Sequence, residues 1–170
     1  MELNKKENYL QQIEKIEHFR KGIMLFEEQM LGIEGSYGDP KTPGQNEIAN
    51  NINPLKHTFA DGLYIRQISM PKGQVISTGI HKKEHPYFVM KGEISVLTEN
   101  GIEKITAPYY GITKPGTKRL IYIHEDSIWI TVHATDKETP EEVLHDVVAK
   151  NFNDPDISLE NIKKQLKIKQ

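Results

Sequence analysis

With 170 residues, the chain has the length of a single domain that can bury a core. Its 22 Lys and Arg against 24 Asp and Glu leave a net charge of −2, which excludes a general attraction to nucleic acid or to an anionic membrane. Because no cysteine is present, disulfides, thiolate metal sites and cysteine nucleophiles are excluded. No signal-peptide core or membrane-spanning apolar run is visible, so we expect a cytoplasmic protein without a membrane partner.

Residues 1–33 are predicted to form an amphipathic N-terminal helix, because apolar residues recur at steps of three and four. Such a stripe can dock on its own domain, or it can pack against a partner helix. We expect a homodimer or a higher homo-oligomer to which this helix contributes apolar area. The stripe consists of Leu10, Ile13, Ile16, Phe19, Ile23, Phe26 and Met30.

The rest of the chain divides into three further segments. Residues 34–57 are rich in Gly, Pro and Asn, which predicts a long irregular loop that serves as an ordered cover or a mobile lid. Residues 58–135 contain short runs rich in Ile, Val, Tyr and Thr between turn signals, which predicts an antiparallel β-barrel or sandwich. Residues 136–170 are predicted to form a helical tail, since Thr139-Pro140 has the composition of a helix start.

The β region resembles the cupin superfamily, whose members are jelly rolls with a ligand site inside the barrel. Counted back from Lys91-Gly92, His85 stands at the family's glutamate position and His81 at its second histidine position. Gly79 stands where the family has its first histidine. The resemblance implies a mainly β fold, a cupin-type double-stranded β-helix with an N-terminal helix and C-terminal helices.

The second cupin motif is matched only in its turn. Lys114-Pro115-Gly116-Thr117 is similar to the family's Pro-x-Gly turn, but the histidine that should follow falls at or near Leu120, with Arg119 beside it. Of the usual metal ligands, one is therefore kept, one is exchanged for another possible ligand, and two are missing.

A finer resemblance is to small cupin-like proteins of obscure function encoded in bacteriophage genomes. They combine a His-Lys-x-x-His segment, a Lys-Gly turn, a Pro-Gly turn followed by basic residues, and a Trp-x-x-x-His strand. The corresponding residues here are 81–85, 91–92, 115–119 and 129–133. The resemblance implies a viral or mobile-element cupin and no particular activity.

Three histidines are candidate metal ligands. His81 and His85 lie on either side of a short turn, and His133 shares the strand alternation of Trp129. Imidazole binds divalent transition metals, so one ion of Zn, Fe, Mn or Ni is a candidate cofactor. The alternative is that residues 81–85 form a solvated turn with incidental histidines.

A second set of residues suits an anionic ligand. Lys83, Lys118 and Arg119 are cationic, and the planar guanidinium fits carboxylate or phosphate. Tyr87 and Trp129 are candidates for an aromatic wall against a nucleobase or a sugar ring. The alternative is that the cations form surface ion pairs and the aromatic residues belong to the core.

Three functions stay open at this point, and no catalytic residue is assigned. The chain can be a cupin that captures a small anionic, nucleotide-like or sugar-phosphate molecule, in the manner of a phage-type protein acting on host metabolism or signalling. It can be a metal-dependent isomerase, lyase or dioxygenase, or a structural and interaction protein. Metal affinity should fall as pH drops through about 6.5, whereas direct anion binding should strengthen.

Overall fold

The computed structural model describes residues 2–37 and 45–159 and consists of two antiparallel β-sheets with helices toward both ends of the chain. The first helix, α1, runs from Glu2 to Leu31. It ends two residues before the predicted limit, in a turn where Gly35 adopts a φ of 84° that favours glycine. None of the helices in these two ranges is long and apolar enough to cross a membrane.

The predicted loop over residues 34–57 is wrong for the segment that forms the second helix, α2 (Gln45–Ile52). The sequence QNEIANNI contains neither Gly nor Pro, so the helix breakers of the segment flank α2 and do not interrupt it. The buried Asn53 ends α2 and donates hydrogen bonds from Nδ2 to the Ser69 carbonyl (3.1 Å) and to Gln74 Oε1 (2.8 Å). Residues 38–44 lie outside the described ranges.

Eleven strands follow in the part of the chain that the structure describes, and most of them belong to two sheets. The larger sheet has the order β1-β2-β10-β5-β8 and the smaller sheet the order β3-β9-β6-β7, while β4 and β11 form a separate ribbon. The bounds are β1 Leu55–Ala60, β2 Leu63–Met70, β3 Val75–Ser77, β4 Ile80–His81, β5 His85–Lys91, β6 Glu93–Thr98, β7 Gly101–Thr106, β8 Tyr109–Thr113, β9 Leu120–Ile123, β10 Ser127–Ala134 and β11 Val148–Ala149.

The strand order makes the fold a jelly roll. The chain crosses between the sheets after β2, between β3 and β5 by way of β4, after β5 and after each strand from β7 to β9, so that sequence neighbours lie mostly in opposite sheets. Two antiparallel sheets connected in this way form the double-sheet jelly roll. The predicted fold class is therefore confirmed, and the sheet region begins at Leu55, three residues before the predicted boundary.

One apolar cluster joins the two sheets inside the barrel. Strand β10 alternates strictly, with every second side chain buried. Each aliphatic side chain that folding buries in such a cluster contributes roughly 1.5–3 kcal/mol. The buried members are Met70, Tyr87, Val89, Ile94, Val96, Ile105, Ile121, Ile123 and Trp129.

The third helix, α3 (Pro140–Val147), covers one end of the barrel. A capping box starts it, since Thr139 Oγ1 accepts from the Glu142 N–H and the Glu142 carboxylate accepts from the Thr139 N–H. Val143 and Val147 pack on Tyr64 of β2. The chain then continues as strand β11 and not as the predicted helix, and residues 160–170 lie outside the described ranges.

Buried cations attach α1 to the barrel. Arg20 donates from both terminal nitrogens to the Ile157 carbonyl, at 3.2 Å each, and its guanidinium lies 4.4 Å from the centre of the Phe152 ring. Lys118 Nζ lies 3.0 Å from Glu27 Oε1. The helix is thus held by directed polar contacts at two points.

The predicted apolar stripe of α1 is only partly buried. Ile13 and Ile23 are in the interior, but Leu10 and Phe26 of the same stripe are exposed. Leu25, outside the stripe, is exposed as well. The inward face of the described part of α1 therefore holds only some of the stripe, and the amphipathic character of the helix stays a prediction.

Candidate functional site

The interior of the barrel changes from apolar to polar along its axis. The strand register places His133 of β10 opposite Tyr64 of β2, and His85 of β5 opposite Thr113 of β8. One step further along, Thr131 lies opposite both Arg66 and Tyr87. Because these residues share the inward parity of their strands, the polar side chains meet at the end of the barrel that α3 covers.

Three imidazole rings are in contact at this end. The ring centres of His81 and His85 are 4.5 Å apart, those of His85 and His133 are 4.1 Å apart, and those of His81 and His133 are 6.4 Å apart. His85 is 3% exposed and His133 is 5% exposed. The structure thus brings together the three histidines that the sequence indicated as candidate metal ligands.

The ring nitrogens of this cluster have unused hydrogen-bonding capacity. His85 Nδ1 lies 3.1 Å from the Lys83 carbonyl, which can only accept, so Nδ1 carries the hydrogen and Nε2 of the neutral ring carries a lone pair. Within the described residues, His85 Nε2 is buried and lacks a hydrogen-bond partner, as do the Nδ1 atoms of His81 and His133. Such atoms are rare in protein interiors and indicate a site that can receive a further group.

Two arginines flank the histidines, of which Arg119 is buried and Arg66 is half-buried. Arg119 is 4% exposed and donates from Nη2 to Thr113 Oγ1 at 2.9 Å, and its guanidinium carbon lies 5.0 Å from the centre of the Tyr87 ring. The Nε atoms of Arg119 and Arg66 are buried without a partner in the described residues. No carboxylate of that part of the chain lies within ion-pair distance of either guanidinium.

Burial and the two guanidinium charges keep the histidines neutral. Burial, followed by repulsion from His85 and Arg119, lowers the pKa of His81 to about 2. Burial, followed by His85 and Arg66, lowers the pKa of His133 to about 4. Burial also lowers the pKa of His85, against the hydrogen bond to Lys83. The expected protonation near pH 6.5 is therefore wrong for His81 and His133, and the cluster is positive at neutral pH because of its arginines.

The aromatic pair predicted as a ligand wall lies beneath Arg119. The Tyr87 and Trp129 rings stack with centres 4.4 Å apart at an angle of 5°, and Arg119 lies 5.8 Å from the Trp129 ring. Both rings belong to the apolar cluster of the barrel. They separate the polar end from the apolar end, so that one face of the pair supports the arginine.

The two lysines predicted as ligand-binding residues point away from the cluster. Lys83 is exposed and forms an ion pair with Asp146 of α3 at 2.5 Å. Lys118 is buried, but its Nζ donates to Glu27 and to the Thr78 carbonyl (2.7 Å), because it has the opposite strand parity to Arg119. The structure therefore places both ammonium groups outside the histidine cluster, and a ligand-binding role for either lysine stays a prediction.

Two positions where the cupin motifs have histidine are explained by packing. A Cβ atom at Gly79 would lie 3.0 Å from Val148 Cγ1, so strand β11 occupies the space that a side chain there would need. Inward and outward side chains alternate here: Arg119 and Ile121 are buried, and Leu120 between them faces outward. Arg119 therefore takes the inward place near the second motif.

Arg66 is the functional candidate that sequence reasoning missed. It stands between Tyr64 and Ile68 at alternate positions of β2, and Met70 continues the same inward row. The sequence contained one indication of it: Arg66 stands at an inward-facing position of an alternating strand, where a charged residue is unusual. Tyr64, also missed, bonds through its hydroxyl to Nδ1 of the exposed His57 at 2.6 Å.

As it stands, no group of three His, Asp or Glu side chains in residues 2–37 and 45–159 is placed to hold a metal ion. The three imidazoles fill the space between themselves, and their nearest charged neighbours are the two arginines. The polar end is therefore a cluster of neutral acceptors and fixed cations without an acid.

Comparison with family models and with curated proteins gives no match. Among solved structures, the chain is similar to a cupin 2 domain-containing protein from Halorhodospira halophila, with 14% identity, a TM-score of 0.45, and coverage of 63% of this chain and 73% of that one. It is also similar to a cupin-2 domain protein from Shewanella frigidimarina, with 9% identity, a TM-score of 0.41 and coverage of 56% and 96%.

A third solved structure with this similarity is an acetylacetone dioxygenase from Acinetobacter johnsonii. The identity is 20%, the TM-score is 0.40, and the alignment covers 47% of this chain and 58% of the dioxygenase. The structural neighbours are thus cupin-domain proteins, some of them enzymes and others of unknown function.

Proposed function

We propose that the polar end of the barrel binds a small molecule with a carboxylate or phosphate group. The observation that carries this proposal is the burial of Arg119, and of the Nε atom of the half-buried Arg66, without a carboxylate partner in the described residues. A buried charge is costly unless it is paired, and an arginine keeps its charge in proteins. An anion supplies the opposite charge and accepts the hydrogens of the two free Nε–H groups.

The histidines add a second requirement to the ligand. His85 presents a lone pair at Nε2 because Lys83 fixes its tautomer, so it accepts a hydrogen bond and does not donate one. A hydroxyl group next to the anionic group meets this requirement. The ligand class that fits both sets of residues is a hydroxylated anion, such as a sugar phosphate or a nucleotide-like molecule.

Calorimetric titration with sugar phosphates, nucleotides and hydroxycarboxylates tests the proposal. Arg119→Met and Arg66→Met should each weaken binding by at least about tenfold, because each removes a charge-assisted hydrogen bond. Lys83→Met is the matched control, since it removes a positive charge close to the cluster but outside it. Absence of binding, or an equal loss in the control, contradicts the proposal.

A metal-dependent activity is the second candidate, favoured by the partnerless ring nitrogens and the tautomer of His85. His81, His85 and His133 would hold the ion after the rings separate, and Arg66 and Arg119 would orient an anionic substrate. A bound divalent ion supplies Lewis-acid chemistry, as an isomerase, lyase or dioxygenase of this type requires. A stoichiometric metal in the purified protein, lost in a His81→Ala/His85→Ala variant, supports this candidate over direct anion binding.

The biological setting is part of the same proposal. Support for a phage-type cupin that acts in the cytoplasm on host metabolites or signals comes from the motif at residues 81–85 and from the absence of cysteine. Incubation of the protein with a bacterial extract, followed by mass spectrometry of the bound small molecules, tests this setting. Arg119→Met should not retain the captured compound.

A further inference from the structure

The outward face of the larger sheet is apolar across four neighbouring strands. An antiparallel sheet with one face in water normally alternates between apolar inward and polar outward residues. Here, the described outward positions of β2, β10, β5 and β8 carry a single charge, that of Lys91, which lies opposite Ile128 at the irregular end of β5. The uncharged positions are Leu63, Ile65, Gln67, Ser69, Ile128, Ile130, Val132, Ala134, Pro86, Phe88, Met90, Tyr110 and Ile112.

The register makes these residues one continuous surface. Ile130 of β10 lies opposite Phe88 of β5, which lies opposite Tyr110 of β8. In the neighbouring row, Val132 lies opposite Ile65 of β2. Tyr110 is 71% exposed, so the edge of this surface is open in the single chain.

The smaller sheet shows that such a face is not a general property of this chain. Its outward positions include the ion pair between Glu93 and Lys104 at 2.7 Å, and the hydrogen bond between Ser95 and His124 at 2.7 Å. This face has the mixed polarity expected of a surface in water. The difference between the two faces indicates that the larger one is used for contact.

We propose that the outward face of the larger sheet is the contact surface for a second copy of this chain. Strands about 4.8 Å apart and rising about 3.4 Å per residue give a face of roughly 500 Å² over four strands, hence about 1,000 Å² for two copies. That total reaches the size at which specific interfaces begin.

Two properties of the face favour a copy of the same chain as the occupant. A surface with one charge, at the end of β5, meets its own image across a two-fold axis mainly through apolar side chains. An acidic peptide or nucleic acid would find a single counter-charge on it, and a basic peptide would find none. The proposal also moves the expected oligomer contact from α1, where the sequence indicated it, to the larger sheet.

Sedimentation equilibrium of the full chain tests the proposal. The wild type should sediment at twice the mass of a single chain. Tyr110→Glu, at a position exposed enough to tolerate the change, should weaken dimerisation at least about 100-fold because it buries an unpaired carboxylate in the contact. The matched control is Ile102→Glu on β7 of the smaller sheet, since Ile102 is 75% exposed and should leave the dimer intact.

Leu25→Glu separates this face from the competing surface on α1. It should leave the dimer intact as well, because Leu25 lies on the exposed side of the helix. A monomeric wild type overturns the proposal, as does dissociation by Leu25→Glu or Ile102→Glu but not by Tyr110→Glu. Circular dichroism of each variant confirms that the sheets are retained.

Discussion

The same strands build the two ends of the barrel interior. The ends differ in whether their buried side chains have all the partners that they need. At the apolar end, Val89 of β5 and Ile123 of β9 are completely buried in a cluster that needs no further partner. At the polar end, His85 of β5 and Arg119, next to β9, are almost as buried but keep unpaired nitrogen atoms. One end therefore stabilises the fold, whereas the other holds groups that lower stability until a ligand pairs with them.

The largest effect should come from the apolar end. Ile123→Ala leaves a cavity between the sheets and should lower the free energy of unfolding by about 2–5 kcal/mol, measured by urea denaturation. The anion affinity of the folded protein should not change, because Ile123 does not contact the polar cluster. A loss of affinity at unchanged stability would contradict the division between the two ends.

The next effect concerns pH and the polar end. The folded-state pKa values of His81 and His133 lie at about 2 and about 4, below the value near 6.5 expected when the chain is unfolded. As pH falls below 6.5, His81 and His133 become protonated in the unfolded chain but stay neutral in the folded protein. Stability should therefore decrease between about pH 6.5 and 4, by up to about 1.4 kcal/mol per pH unit for each ring.

Urea denaturation at a series of pH values measures this slope. His133→Gln should reduce the slope, whereas His145→Gln, at an exposed position of α3, should preserve it. Stability that is constant from pH 7 to pH 4 would show that the rings are not held neutral by burial.

A neighbouring pair of residues gives a sharper and smaller test. Lys118 has partners in Glu27 and Thr78, so Lys118→Met should lower the free energy of unfolding by about 1–3 kcal/mol. Arg119 keeps a buried nitrogen unpaired, so Arg119→Met should leave stability within about 1 kcal/mol of the wild type or raise it. Anion binding should respond in the opposite order, with the larger loss in Arg119→Met.

The smallest effect should come from the helix that covers the polar end. Thr139→Ala removes the hydroxyl of the capping box and should lower the free energy of unfolding by about 1 kcal/mol. Hydrogen exchange should increase first at the Lys82 amide, which donates to the carbonyl of Val147, the last residue of α3. Unchanged exchange at Lys82 would indicate that α3 and β4 open independently.

Local patterns in the sequence were sufficient to predict the β-sheets but not the side-chain contacts of the candidate site. The alternation in β10 and the turn at Lys91-Gly92 depend on adjacent residues, and Gly92 has the positive φ of 86° that such a turn favours. The contact of His85 with His133 depends on the pairing of β5 with β10, which joins residues far apart in the chain. The motif placed His133 nearby, but no local pattern gave its register.

The differences between the predicted and the observed positions at the site also arise from contacts between distant parts of the chain. Arg66 was missed because its partners at the polar end come from other strands, and its own strand shows only that it is inward. Lys83 and Lys118 were misplaced because charge alone does not give direction, whereas strand parity and the acids Asp146 and Glu27 do.

The segment that carries Arg119 is held from two sides. Inside the barrel, Arg119 reaches Thr113, while the preceding residue, Lys118, reaches outward to Glu27 of α1. The backbone between these two side chains is fixed to Thr78 through the Arg119 N–H. Because the Glu27–Lys118 ion pair joins α1 to the residue next to Arg119, we expect Glu27→Ala to change anion affinity, measured by calorimetry, although Glu27 lies outside the polar cluster.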